Sequence, residues 1–175
     1  MKIIYNIENY HEKDRLVIAL GNFDGIHLAH RKILEETKTS AQKLGLKSAV
    51  LLLNPHPAQL LFPERPFQLL SSLENRAEIL AGLGMDYLIV EQFTEHIARL
   101  SPFNFVRNYL VQTLNVARVV VGYDYTFGHQ GKGTTYALME LGKKFGVNTR
   151  VIDSMIPIAS AMVGTDHCRC DGDHA

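Results

Sequence analysis

The stretch that decides the fold reads Gly21-Asn22-Phe23-Asp24-Gly25-Ile26-His27-Leu28-Ala29-His30. It lies between the short apolar run Leu16–Gly21, which is typical of a strand, and the helical pattern of Leu28–Leu44. Glycine allows a tight turn here, and the amino end of the following helix favours anions because its first N–H groups have no partner within the helix. The sequence therefore predicts an anion-binding strand–turn–helix unit.

Strand-like and helical patterns alternate along the rest of the chain. We predict four further strands, at Ser48–Leu53, Asp86–Val90, Ala117–Gly122 and Val147–Ile152. We predict three further helices, at Leu73–Leu83, Phe103–Leu114 and Thr134–Phe145. Ser71 and Glu74 form a capping-box pattern before the first of these, and Asn54–Leu70, with its four prolines, is predicted to be a loop. The alternation predicts an α/β fold, a Rossmann-like parallel sheet with helices on both faces, whose ligands bind beyond the carboxyl ends of the strands.

Composition narrows the class of protein. The formal net charge of the 175 residues is zero, which argues against nucleic acid or an acidic membrane as a partner. The longest dense apolar run, Ala49–Leu53, is too short to span a bilayer, and the N-terminus turns polar too soon for a signal peptide. Both cysteines, Cys168 and Cys170, stand near the end, so no disulfide framework is expected in the body. We expect a cytoplasmic protein that binds small molecules, and we infer no protein partner.

His27 and His30 are the candidate chemical groups of the glycine turn. They are three residues apart, so they share one face at the start of the helix. Two imidazoles beside a row of N–H donors suit phosphate oxygens and the charge that develops on a pentacoordinate phosphorus. Two other interpretations fit the spacing: a metal site of Asp24, His27 and His30, which leaves the glycine turn unexplained, or a surface turn with two ordinary histidines.

Three segments together resemble one family. Gly21–His30 resembles the G-x-F-D-x-x-H-x-G-H signature of the nucleotidyltransferase superfamily, and within it the FAD synthetase module of bacterial bifunctional riboflavin kinase/FAD synthetase enzymes. Asn54-Pro55-His56-Pro57 resembles the PHP loop of that family. Val121-Gly122-Tyr123-Asp124-Tyr125-Thr126-Phe127-Gly128 resembles its V-G-x-D-F-x-F-G segment. The resemblance extends from about Leu16 to Ile152 and implies an HxGH-type nucleotidyltransferase fold.

The resemblance implies transfer of AMP from ATP to the phosphate of FMN, which gives FAD and pyrophosphate. It implies that His27 and His30 are catalytic and hold ATP phosphates. The nucleotide-binding residues that it implies are Gly21, Asn22, Phe23, Asp24, His27, His30 and Gly122. The flavin-binding residues that it implies are Pro55, His56, Pro57, Asp124 and Phe127. Mg²⁺ is expected to accompany ATP, because it prefers phosphate oxygens to a full protein cage, and no separate metal site is expected.

The sequence departs from the family pattern at two places. Ala29 replaces a glycine of the signature. In Ile156–Val163, Ser160 stands alone where the family has S-S-T-x-x-R, and Arg169 follows too late to replace the arginine. We therefore expect residues 1–155 to form the nucleotidyltransferase-like domain and residues 156–175 to be an atypical tail, disordered or non-native. No riboflavin kinase domain is recognised in the 175 residues.

The missing arginine clamp predicts slow turnover, because charge neutralisation supplies much of the catalysis in such transfers. Two alternative functions follow from these departures and from the breadth of the superfamily. One is a catalytically weak flavin- or nucleotide-binding protein, which the missing segment favours. The other is a related nucleotidyltransferase with a different acceptor, against which the PHP loop and Asp124–Phe127 argue.

Overall fold

A computed structural model of the chain describes residues 1–153. Its six strands form a single sheet in which every pairing is parallel. They are β1 (Lys2–Tyr5), β2 (Leu16–Leu20), β3 (Lys47–Asn54), β4 (Tyr87–Gln92), β5 (Val116–Gly122) and β6 (Asn148–Ile152). The strand order is β1-β4-β3-β2-β5-β6, so the predicted parallel sheet is confirmed and gains one edge strand, β1.

The helices occupy the connections between the strands. They are α1 (Leu28–Leu44), α2 (Pro57–Leu61), α3 (Leu73–Gly82), α4 (Glu95–Ala98), α5 (Pro102–Asn104) and α6 (Thr135–Phe145). A π-helical segment, Phe105–Thr113, continues α5, and short 3-10 turns occur at Ile7–Asn9 and His129–Gly131. Within the described residues, no helix is long and apolar enough to cross a membrane.

Alternate side chains of the central strands enter two separate cores. Val17 of β2 packs in one core with Leu34 of α1 and Leu80 of α3. Ile18, its neighbour, packs in the other with Leu110 of the π-helical segment. Both faces of β2 are therefore covered, which explains why the strand is a continuous apolar run rather than an alternating one. The predicted helix layers on both faces are confirmed.

Three local predictions were wrong in detail. Ser72, not Ser71, caps α3, because its side chain accepts the N–H of Asn75 at 3.1 Å. The helix predicted at Phe103–Leu114 is π-helical from Phe105 onward, where the Leu114 N–H bonds five residues back to the carbonyl of Tyr109. The predicted loop Asn54–Leu70 also contains α2, whose first position holds a proline that needs no N–H partner there.

The strand order reverses direction at β2. From β2 the sheet extends through β3 and β4 on one side, and through β5 and β6 on the other. Connections that leave neighbouring strands in opposite directions open a crevice at the carboxyl edge, and ligands of doubly wound sheets bind there. The fold thus places the glycine turn after β2 beside the loop after β5.

Candidate active site

A crevice of about 250 Å³ lies at the carboxyl ends of β2 and β5. It joins the glycine turn to the loop after β5. Its lining residues are Leu20, Gly21, Phe23, His27, Ala29, His30, Ile33, Gly122, Tyr123, Asp124, Tyr125, Ile152 and Asp153. A larger groove, about 380 Å³, lies at the opposite edge of the sheet, where no histidine lines it. We place the site in the smaller crevice, because it is at the switch point and contains both predicted imidazoles.

The amino end of α1 supplies backbone donors. His27 occupies the cap position, and its side chain makes no capping hydrogen bond. The first N–H that bonds back along the helix is that of Arg31, which reaches the His27 carbonyl at 3.0 Å. The N–H groups of Leu28, Ala29 and His30 thus have no acceptor within the helix. Together with the dipole of a 17-residue helix they favour an anion at this end.

The two histidines form one stacked pair. Their ring centroids are 3.9 Å apart with an interplanar angle of 21°. His30 is half-buried against the edge of Phe23, and its Nδ1 atom is buried without a hydrogen-bond partner among residues 1–153. Burial, and secondly the neighbouring His27, lower the pKa of His30, so this imidazole is neutral at pH 7.

Asp24 fixes the turn to the segment before α3. Its Oδ1 accepts the N–H and the hydroxyl of Ser71, each at 2.9 Å, and its Oδ2 accepts the N–H of Leu70 at 3.0 Å. Burial would raise the pKa of Asp24, but these hydrogen bonds and the nearby Arg76 outweigh burial and hold the pKa below its usual value. The ionised carboxylate therefore serves to hold the glycine turn against Leu70 and Ser71. Within residues 1–153 no cluster of three metal-ligating side chains exists, so the alternative site of Asp24, His27 and His30 is not formed there.

The backbone of the turn has a positive φ at both Phe23 and Gly25. Phe23, which is 1% exposed, has a φ of 49°, and Gly25 has a φ of 65°. The positive φ of Gly25 is a conformation that favours glycine, and an added Cβ would also lie 2.9 Å from the Leu70 side chain. Arg76 of α3 also reaches the turn: its Nη1 donates to the Asn22 carbonyl at 2.9 Å. Arg76 was not among the residues predicted from sequence, although its position in the apolar stripe of α3 was a signal.

The Pro55–Pro57 loop lies beside the turn but does not line the crevice. His56 Nδ1 accepts the Ala58 N–H at 3.1 Å, which leaves the ring proton on Nε2. The Asn22 side-chain nitrogen lies 2.9 Å from Nε2. Because that nitrogen is itself a donor, a hydrogen bond here requires the amide to be turned so that its oxygen accepts the Nε2 proton. His56 also stacks on Phe67 at 4.4 Å, and burial is the main cause of its lowered pKa. His56 thus fixes the PHP loop to the glycine turn.

The two predicted flavin segments flank the glycine turn on opposite sides. The Pro55–Pro57 loop follows β3 and the Asp124–Phe127 segment follows β5, while β2 lies between these strands. Asp124 is exposed and lines the crevice, and a Cβ at Gly122 would lie 3.0 Å from its Oδ1. Tyr125, which was not predicted, also lines the crevice, and burial raises its pKa.

Phe127 differs most from its predicted role. The ring is only 7% exposed and belongs to the core that contains the π-helical segment. It stacks on Tyr125 at 5.9 Å and packs against Phe105, while its backbone pairs with Gly133. The ring is thus placed behind Tyr125 instead of at the surface where a flavin could stack on it. Ser160, Arg169 and the predicted tail 156–175 lie outside the described residues. Ala29, the other departure from the family pattern, lines the crevice.

Residues 9–165 match the FAD synthetase family. The chain belongs to this family. Its match extends past residue 155, the predicted end of the domain. The chain is similar to the bifunctional riboflavin kinase/FMN adenylyltransferase of Listeria monocytogenes, with 45% identity over 67% of this chain and 37% of the relative. It is also similar to the protein of the same name from Bacillus subtilis, with 39% identity over 77% of this chain and 44% of the relative. For the protein of that name from Escherichia coli K12, the identity is 32% over 83% of this chain and 47% of the relative.

Two solved structures show the same fold as this FAD synthetase family member. One is described as a macrolide-efflux protein from Streptococcus pneumoniae, with a TM-score of 0.75, 24% identity, and coverage of 87% of this chain and 50% of that chain. The other is a pantoate-beta-alanine ligase from Francisella tularensis in complex with a nucleotide and beta-alanine, with a TM-score of 0.53, 19% identity, and coverage of 87% and 66%. The chain spans less than half the length of the three curated relatives.

Proposed function

We propose that this chain is an FMN adenylyltransferase, which transfers AMP from ATP to FMN and gives FAD and pyrophosphate. The observation that supports this most is the stacked pair of His27 and His30 at the uncapped amino end of α1, in the switch-point crevice. Membership of the FAD synthetase family supports the choice of this reaction for the anion site. No other part of the described chain combines backbone donors, imidazoles and a crevice in this way.

The reaction needs positioning and charge stabilisation more than covalent chemistry. An oxygen of the FMN phosphate attacks the α-phosphorus of ATP, and the bond from that phosphorus to the bridging oxygen of pyrophosphate breaks. Negative charge grows on the equatorial and leaving oxygens. The free N–H groups of α1, the N–H of the neutral His30 and the ring of His27 stacked on it would stabilise that charge.

The ligands would lie along the carboxyl edge of the sheet. The crevice wall of Gly21, Phe23 and Gly122 would hold the nucleotide, and the PHP loop and Asp124 would hold the flavin. The strands that precede the two flavin segments are two strand spacings apart, about 10 Å, which a dinucleotide-sized product can bridge. We propose that Phe127 acts from behind, by supporting Tyr125 at the crevice wall.

Mg²⁺ would enter with ATP as part of the substrate. It takes most of its ligands from phosphates and water, with one or two carboxylates from the protein, and it would neutralise charge on the triphosphate. Two exposed carboxylates line the crevice, those of Asp124 and Asp153. These two residues would contact the ion, while Asp24 is already engaged by Leu70 and Ser71.

The test is incubation of the purified chain with ATP, Mg²⁺ and FMN, with FAD and pyrophosphate separated by chromatography. We expect the two products to form in equal amounts. Riboflavin, which has no phosphate to attack ATP, is the matched control acceptor and should give no adenylylated product. Tight flavin binding without FAD would instead support the catalytically weak binding protein, and activity only with a non-flavin acceptor would support a different nucleotidyltransferase.

A further inference from the structure

Arg76 is a buried guanidinium directly behind the glycine turn, and the proposed reaction does not use it. The residue is 2% exposed. A buried charge is costly unless it is hydrogen-bonded or paired. Here the acceptors are two backbone carbonyls, that of Asn22 at 2.9 Å from Nη1 and that of Ser72 at 3.4 Å from Nε. The guanidinium therefore joins the first turn of α3 to the loop that begins the nucleotide site.

The contact orients one peptide group of the glycine turn. The Asn22 carbonyl and the Phe23 N–H belong to the same planar trans peptide, so they point in opposite directions. Because Arg76 draws the carbonyl toward α3, the Phe23 N–H points away from α3. Within residues 1–153, the N–H groups of Asn22, Phe23 and Asp24 donate no hydrogen bond. Successive free N–H groups of this kind form an anion-binding concavity.

The orientation would not hold by itself. Phe23 has a φ of 49°, a left-handed conformation that is unfavourable for a non-glycine residue. Rotation of the peptide would relieve this strain and turn the Asn22 carbonyl oxygen toward the crevice, where it would repel a phosphate. The buried side chain of Phe23 and the hydrogen bond from Arg76 both oppose that rotation.

We propose that Arg76 is a positioning residue for nucleotide binding, which holds the Asn22 carbonyl toward α3 and so leaves the Phe23 N–H for the triphosphate. The inference rests on the proposed function only in taking ATP as the ligand. It assigns to a residue on α3 an effect on ATP affinity that acts entirely through the backbone of the turn.

The experiment measures ATP and FMN separately in the full chain. The variants are Arg76→Met, which keeps the apolar stem but has no donor, and Arg76→Lys, which keeps one charge and a single donor group. Leu80→Ala is the matched control, since Leu80 is fully buried on the same helix and is not in the crevice. Dissociation constants for a non-hydrolysable ATP analogue and for FMN are measured by titration, and Tm by thermal unfolding.

For Arg76→Met we expect at least a tenfold weaker binding of the ATP analogue, with FMN binding changed less than twofold. Arg76→Lys should recover part of the loss, and Leu80→Ala should lower Tm without weakening the ATP analogue. Unchanged ATP affinity in folded Arg76→Met, or equal loss of both ligands, would overturn the inference. If the unmodified chain binds ATP but makes no FAD, the proposed function fails and the inference stands; if it binds no ATP, both fail.

Discussion

Replacement of Asp24 by alanine tests whether the glycine turn must be fixed to the segment before α3. The carboxylate accepts three hydrogen bonds, from the Leu70 N–H, the Ser71 N–H and the Ser71 hydroxyl, at 2.9–3.0 Å. A hydrogen bond contributes about 1 kcal/mol net, and the carboxylate is partly exposed, so Asp24→Ala should lower the free energy of unfolding by about 2–3 kcal/mol. The released turn should also weaken ATP binding at least tenfold.

Asp86 offers a matched control at the other edge of the sheet. Its carboxylate accepts the N–H and hydroxyl of Ser48 at 2.9 and 2.8 Å and the Lys47 ammonium at 3.4 Å. Both carboxylates accept an N–H and a hydroxyl from one serine and a third bond from a neighbouring residue, so Asp86→Ala should cost a similar free energy of unfolding. It lies far from the crevice and should leave ATP affinity unchanged. The comparison separates loss of stability from loss of the site.

The pH dependence of Asp24→Ala has a definite sign. The pKa of Asp24 in the folded protein is below its ordinary value of 3.8, since its hydrogen bonds outweigh burial. The stabilisation due to the ionised carboxylate is therefore complete above pH 3.8 and is lost as the pH falls through the lower folded pKa. The difference in unfolding free energy between the unmodified chain and Asp24→Ala should shrink in acid.

The assay combines urea unfolding at pH 7 and in acid with titration of the ATP analogue. If Asp24→Ala is as destabilised as Asp86→Ala but binds the analogue normally, the turn does not need its attachment to Leu70 and Ser71. If the stability difference grows in acid, the assigned hydrogen bonds to the carboxylate are wrong.

Three other outcomes follow from the site. His27→Ala and His30→Ala should each lower kcat by about 100-fold or more. Tm should be nearly unchanged, since the His27 side chain is exposed and that of His30 is half-buried. Full activity in both variants would refute the roles of the two histidines. Phe127→Ala should lower the free energy of unfolding by about 3–5 kcal/mol in urea, as expected for a core ring, and a loss of FMN binding with unchanged stability would restore the predicted flavin contact. Replacing Pro157–Ala175 by an ending with S-S-T-x-x-R should raise the rate at least about tenfold, or roughly 1.4 kcal/mol, and equal rates would contradict the predicted loss of a phosphate clamp.

The parts of the fold that sequence predicted well depend on local patterns. β2 is recognised because it is a continuous apolar run that is buried on both faces, and α1 because it follows a glycine turn and ends at Gly45. The histidine pair followed from spacing alone, since residues three apart at a helix start lie on one side. Their stacking at 3.9 Å shows that the spacing was sufficient to bring them together.

The missed elements depend on partners distant in the sequence. β1 has a single buried side chain, Ile4, and is held by its pairing with β4, so four residues at the N-terminus gave no clear pattern. The π-helical segment looks like an ordinary helix in sequence. Its shift to backbone bonds five residues back, such as that from the Leu114 N–H to the Tyr109 carbonyl at 3.0 Å, is a property of the folded turn.

The site shows the same limit. Asp24 was expected beside the nucleotide, but its three partners come from a segment 46 and 47 residues away in sequence. Arg76 and the Asn22–His56 contact are likewise tertiary. For Phe127, an aromatic side chain after a strand is compatible with either a core position or a ligand platform, and only the packing against Phe105 and Tyr125 decides between them.

The most direct measurement follows the α-phosphorus of ATP. The chain is incubated with FMN, Mg²⁺ and ATP that is labelled at the α-phosphate, and the label is followed in parallel for His27→Ala and His30→Ala. We predict that the label is recovered in FAD, that unlabelled pyrophosphate is released in equal amount, and that both histidine variants lose the transfer. Label found in free AMP or left in ATP, while FMN is bound and unchanged, would contradict it.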